Sequence, residues 1–243
     1  MAGGNGETAV SGAKRSDLPV RLASAAAMLA VAGAALWQGG QVLDLFIGLV
    51  AFACFAEFTV LVVRATGNVP YRLAALIAGG LYIAAAAAIL VGAGDFLLVL
   101  ILGATIFTDT GAYFAGRAIG GPRIAPSISP SKTWAGLFGG MIASALWTLA
   151  WVMAIDSGLD WLGPRFALGI PLDGANLASI AALGAGLAVV AQAGDFFESW
   201  LKRKAGVKDS SRLIPGHGGV FDRVDGLLPV AIAVGGIAAS VAN

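Results

Sequence analysis

Seven long apolar runs, at roughly 20–37, 42–63, 71–92, 95–117, 134–155, 176–201 and 226–242, constrain this chain more than any other feature. Each approaches the ~20 residues that a helix needs to cross a bilayer, and a helix is a fold that satisfies its own backbone polar groups in lipid. Only 12% of the 243 residues are charged, about half the share in an ordinary soluble domain. The reading is an all-α polytopic membrane protein of about seven transmembrane helices. They form one integral-membrane domain, 19–243, behind a polar tail, 1–18, expected to be disordered. An eighth, re-entrant or interfacial helix stays open around 158–172, where "LDWLGPRFALGIPL" is aromatic and amphipathic. The 35 glycines suit close helix–helix approach. Asp95, opening the fourth run, reads as a helix N-cap, and the lone Cys54, inside an apolar run, reads as a structural thiol.

Basic residues divide sharply between the two sides of these runs. Lys14, Arg15 and Arg21, then Arg64 and Arg72, then Arg117, Arg123 and Lys132, then Lys202–Lys204, Lys208, Arg212 and Arg223 all fall on one side if the spans alternate; only Arg165 falls on the other. The positive-inside rule then makes the N-terminus cytosolic and the C-terminus external. A net charge of +1 gives no reason to expect a nucleic-acid partner.

Ionisable groups inside spans are costly and therefore functional candidates. In "AQAGDFFESWLKRKAG", Gln192, Asp195, Ser199 and Lys202 share one helical face, bordered by Glu198. In "IFTDTGAYFAGRAIGG", Asp109 lies two turns deeper than Arg117 and shares a polar strip with Thr108 and Tyr113. Pro126 and Pro130 break the chain before Ser129, Ser131, Lys132 and Thr133, read as the start of the fifth span. Hydroxyls, a lysine and free N–H groups there would suit phosphate, although Ser and Thr are also ordinary caps. The stretch "KDSSRLIPGHGGVFDRVDG" holds the only histidine, His217, in a glycine turn whose amides could face an anion. Asp222 and Asp225, joined by Asp195, would suit a hard cation such as Mg²⁺. Lys202, Arg203, Lys208, Arg212 and Arg223 would suit polyphosphate. Glu57 keeps two readings, pairing with a basic group of the site or helix packing.

The segment "SWLKRKAGVKDSSRLIPGHGGVFDRVD", 199–225, resembles the full signature of the phosphatidate cytidylyltransferase, or CDP-diglyceride synthase, family. The blocks "GDFFES", "DTGAYFAGRAIGG" and "SPSKTW" resemble that family in the expected order. The likeness is dense over about 105–235 and vague over the first 90 residues. Ser131 and Ala135 depart from the family's common residues, which bears on substrate contact rather than on the reaction. The resemblance implies CMP transfer from CTP to phosphatidic acid, with Mg²⁺ as cofactor, a second cation being left open. It also implies membrane lipids as surroundings, a homodimer, and a multi-pass location in a bacterial cytoplasmic membrane. It implies Asp195, Lys208, Asp222 and Arg223 as the catalytic set, with Asp195, Asp222 and Asp225 around the metal. Lys132 and Thr133 would contact phosphate, while His217, Gly218 and Gly219 would shape the nucleotide loop. Asp109 and Tyr113 would line the cavity, with Ser129, Ser199, Lys202 and Arg203 as further substrate contacts.

Other classes fit less well. An ion-coupled transporter would set its acids at mid-membrane, whereas these gather at one interface. The Asp-Gly-x-x-Ala-Arg pattern of phosphatidyl-transferring enzymes is absent, as is a P-loop. A CTP-dependent polyprenol kinase would use a similar site; the signature favours the cytidylyltransferase. A non-catalytic scaffold leaves the interleaved aspartates and "GHGG" unexplained.

Overall fold

The structure, a computed structural model, describes residues 17–156 and 173–242. Most of the tail, and the segment around 158–172 with Arg165, lie outside the described residues. Helices α1 (Asp17–Gln38), α2 (Gly40–Ala65), α3 (Val69–Gly92) and α4 (Asp95–Ala118) follow one another through short turns. Strands β1 (Arg123–Ala125) and β2 (Ser129–Thr133) form a hairpin, followed by α5 (Trp134–Asp156) and α6 (Gly174–Lys204). A long loop leads to the single turn α7 (Phe221–Val224) and to α8 (Leu227–Ala242).

The apolar runs became helices, with ends moved by a few residues at most. Among the described residues, six helices, α1 to α6, are long and apolar enough to cross a membrane. The seventh run gives α8, which has 16 residues and falls short of that length. Local chemistry sets several boundaries. Asn68 caps α3 by accepting from the Tyr71 amide at 3.2 Å, and Asp173 caps α6 through the Asn176 amide at 2.9 Å. Asp95 is not a cap: Gly94 holds that position, and Asp95 lies in the first turn of α4 with no side-chain cap bond behind it. An acid there still favours the positive end of the helix dipole.

The most intimate pair is α4 with α5. A Cβ on Gly111 would lie 2.5 Å from the Gly139 carbonyl oxygen, and one on Gly139 would lie 2.7 Å from that of Gly111. Small residues thus let two backbones touch without a hydrophobic drive from water. Beside this seam Trp147 stacks on Phe107 at 4.9 Å and on Trp151 at 5.9 Å. Trp151 in turn donates its indole N–H to the Phe96 carbonyl at 3.0 Å. Gly139→Leu is expected to force the helices apart, at about 1–3 kcal/mol or more. Gly33, whose added Cβ would meet nothing within 4 Å, supplies the control. Thermal midpoints in detergent should fall for Gly139→Leu and stay near wild type for Gly33→Leu.

Candidate active site

The residues 119–133, broken by Pro122, Pro126 and Pro130, do not simply open the fifth helix. They form the hairpin, pairing Arg123 with Thr133 and Ala125 with Ser129. Ser129, Ser131 and Lys132 therefore sit on a strand rather than at a helix start. Thr133 ends it and accepts the Gly136 amide at 3.1 Å, so its hydroxyl caps α5. Arg203 donates to the Ile128 carbonyl at 3.2 Å, tying the end of α6 to the hairpin.

This arrangement encloses a polar cavity of about 690 Å³. From α4 it takes Asp109, Tyr113 and Arg117; from β2 Ser131, Lys132 and Thr133; and from α6 Gln192, Asp195, Glu198 and Lys202. The loop and α7 add Asp209, Asp222, Arg223 and Asp225. Residues more than 100 positions apart in the chain thus share one wall-to-wall site.

Its electrostatics are organised by two lysines. Lys132 forms an ion pair with Asp195 Oδ2, whose other oxygen accepts from Ser199 Oγ at 3.2 Å. Burial disfavours the Lys132 ammonium, but the Asp195 carboxylate outweighs that and raises its pKa. Lys202 lies 2.5 Å from Glu198 Oε2 and 2.6 Å from Asp222 Oδ1, bridging two acids that would otherwise repel. The Asp225 carboxyl is raised by burial first and by the like charge of Asp195 second, against the Gly226 amide that it accepts at 2.8 Å. Arg223 lines the cavity with no ion pair or hydrogen bond from its side chain among the described residues.

The signature loop spends its polar groups inward. Asp222 Oδ2 accepts the Ser210 amide at 2.9 Å and the Gly219 amide at 2.8 Å. Burial would raise the Asp222 pKa; Glu198, Lys202 and these two amides reverse that and hold the carboxyl well below the usual carboxylate range. Glu57 of α2, 6% exposed, holds the same loop from the other side. Its Oε1 accepts from Ser211 Oγ at 2.6 Å and from the Val220 amide at 3.0 Å. Its Oε2 accepts the Phe221 amide at 2.8 Å. Ser210 Oγ stands 2.8 Å from Glu57 Oε2 and 2.9 Å from Asp222 Oδ2, one proton between two carboxylates. The anions that the glycine turn faces thus include the protein's own. Gly216 and Gly218 have φ of +77° and +83°, conformations that side-chain-bearing residues rarely adopt. They let the turn close with Ile214 donating to the Gly218 carbonyl at 2.9 Å. A Cβ on Gly219 would strike Ser210 Oγ and Glu57 Oε2.

Several candidate residues lie off the cavity. His217 Nδ1 is 2.8 Å from Ser24 Oγ, so it fastens the loop to α1. Ser129 is buried in the hairpin, and Ser199 and Arg203 act through the contacts above. Lys208 faces a different groove, beside α2. Glu57, Glu198, Gln192 and Asp209 belong to the site or its support beyond the candidates derived from the signature; the first three were visible as polar residues within apolar runs.

A divalent cation can be tested against these side chains. The donors are oxygens only, the preference of a hard ion. Glu198 Oε1 and Gln192 Oε1 are buried without a hydrogen-bond partner among the described residues, and both residues line the cavity. Among the described residues no group of three His, Cys, Asp or Glu side chains converges on one point. A cation held by these oxygens would have to take part of its coordination from substrate or water.

The model for the "Cytidylyltransferase family" matches residues 73–240. The phosphatidate cytidylyltransferase of Brucella suis is 43% identical over 137 residues, 56% of this chain and 44% of that protein. Those of Haemophilus influenzae and Thermotoga maritima are 40% and 39% identical over 134 and 140 residues, covering 55% and 58% of this chain. The matched segment spans 42% of the Haemophilus protein and 47% of the Thermotoga one, less than half of each relative. The family match takes in α4, the hairpin, α6, the signature loop and α7, the elements that line the cavity, and by it this chain belongs to the cytidylyltransferase family.

Proposed function

We propose that the chain transfers CMP from CTP to phosphatidic acid, giving CDP-diacylglycerol and pyrophosphate, at the polar cavity and on the cytosolic face of a bacterial inner membrane. One observation carries this reading most: the signature loop is folded so that Asp222, Arg223 and Asp225 share a cavity with Asp195, Lys132 and Asp109 from three other elements. The Brucella and Haemophilus relatives that it matches are named for the same reaction. The cytosolic assignment rests on the basic residues, which border the ends of α2, α4 and α6 nearest the cavity.

The attacking group is a phosphate oxygen of the lipid, ionised at neutral pH, so the site has no need of a strong base. A bond forms from that oxygen to the α-phosphorus of CTP, and the bond from this phosphorus to the β-bridging oxygen breaks. Pyrophosphate leaves with the electron pair. The chain's task is to hold two anions together against their repulsion and to meet the charge that gathers on the leaving group. Arg223, which lines the cavity with no side-chain partner among the described residues, and Lys132 are suited to the phosphates. Asp195 and Asp225 would hold Mg²⁺ with Glu198 Oε1 nearby, and the ion would neutralise the phosphates and stabilise the departing pyrophosphate. Asp222, whose oxygens are taken by Lys202, Ser210 and Gly219, is assigned to positioning the loop.

The test is turnover of labelled CTP by the purified chain in mixed micelles of phosphatidic acid. CDP-diacylglycerol and pyrophosphate should form in equal amounts and cease when divalent cations are chelated. Folded protein that makes neither product would refute the reaction, and product that persists under chelation would refute the metal. Phosphorylation of a polyprenol by CTP would instead identify the kinase reading.

A further inference from the structure

A second groove, of about 860 Å³, lies on the opposite side of the signature loop from the catalytic cavity, between that loop and α2. Its α2 wall is a stripe with a four-residue period, Phe52, Ala56, Val60 and Arg64, which one face of a helix presents as a line. At 1.5 Å per residue the stripe is ~18 Å long, slightly more than one leaflet of a ~30 Å hydrocarbon core. Phe52 and Val60 are 73% and 45% exposed, so the stripe faces outward. Arg64, at one end of the stripe, lines the groove together with Lys208 and Arg212 from the loop. None of these three side chains has an ion pair or hydrogen bond among the described residues. The acids present do not offset them fully. Glu57 is already engaged by loop hydroxyls and amides, leaving only Asp209, which borders both cavities.

We propose that this groove is a binding site for an anionic phospholipid of the surrounding bilayer. Its phosphate would lie among Arg64, Lys208 and Arg212, and one acyl chain would follow the Phe52–Ala56–Val60 stripe. Charge and shape both ask for such an occupant: a soluble anion would leave the apolar stripe uncovered, and a neutral lipid would leave three cations unpaired. Juxtamembrane basic groups attract anionic headgroups with about 1 kcal/mol each. The site is separate from the proposed reaction and does not depend on it.

The probe is phosphatidylglycerol, an anionic diester that is not the proposed substrate. Full-length protein would be exchanged into neutral detergent with phosphatidylglycerol or phosphatidylcholine, and bound lipid counted by native mass spectrometry. Phosphatidylglycerol should be retained selectively. The Arg64→Gln/Arg212→Gln variant should weaken retention about tenfold or more, whereas Asp195→Asn should retain it like wild type. Both arginines are exposed, so an unchanged thermal midpoint in neutral detergent should accompany the loss. A photoreactive acyl chain should label the 52–60 segment of α2 in wild type. Equal retention of phosphatidylcholine, retention unaffected by the double variant, or displacement by inorganic phosphate at equal concentration would overturn the proposal.

Discussion

Asp195→Asn is expected to lower CMP transfer by at least about 10³-fold while leaving the protein folded. The substitution is nearly isosteric, and the side chain is only partly buried, 24% exposed. The Ser199 hydroxyl can still donate to the amide oxygen. What disappears is the charge that pairs with Lys132 and, on the proposed reading, holds the cation that counters the phosphates. Rate and stability should therefore separate: turnover in phosphatidic acid micelles collapses, and the thermal midpoint in detergent moves little. Lys132→Ala alone should also be severe, because it leaves the Asp195 charge facing the cavity uncompensated. If the two groups act as one unit, the double variant should be little worse than Asp195→Asn, a non-additivity that independent residues would not produce. A loss under tenfold for Asp195→Asn would remove it from the reacting centre.

The same residues mark what sequence reasoning could and could not reach. Hydropathy is a local property, so the helices appeared where the apolar runs stood, within a few residues at each end. The single face of Gln192, Asp195, Ser199 and Lys202 was also legible, because helical period alone fixes it, and both Asp195 and Lys202 line the cavity. The hairpin was not legible. Its strand "SPSKT" has little β-propensity, and only pairing with Arg123–Ala125 creates it. Asp222 and Asp225 looked alike on spacing, yet Asp222 receives the Ser210 and Gly219 amides while Asp225, among the described residues, accepts only its neighbour's. Lys208 was grouped with the phosphate contacts because a basic loop does not state which of its two sides each cation takes. Of the two readings for Glu57, no basic group pairs with it among the described residues, but it does tie α2 to the loop and to the start of α7. The groups that answer it lie 153 to 164 residues further along the chain, and they are serine hydroxyls and backbone amides rather than a base.

That distance makes Glu57 the position where substitution should cost stability and activity together. Glu57→Leu removes the acceptor for Ser210 and Ser211 hydroxyls and for the Val220 and Phe221 amides. At about 1–3 kcal/mol for each donor left unpaired in a buried site, the loss amounts to several kcal/mol, even if some donors find water. Phe221, 1% exposed and edge-on to Phe58 at 6.1 Å, would then be the loop's remaining anchor on α2. Freed on that side, Ser210 would no longer be held where its amide and hydroxyl meet Asp222, so the cavity wall loosens although Glu57 is absent from it. Activity should fall by about 10²-fold or more, since a shift near 1 Å in a site's support has that effect. Glu57→Gln keeps one carbonyl oxygen but turns an amide NH₂ toward donors, so it should fall between wild type and Glu57→Leu in both thermal midpoint and rate. Amide hydrogen exchange gives the direct readout. Protection at Val220 and Phe221 should drop in the order wild type, Gln, Leu, while α4 and α5 stay protected. Unchanged protection there in Glu57→Leu would mean that Phe221 packing and Asp222 hold the loop by themselves, and that the buried carboxylate of α2 serves some other end.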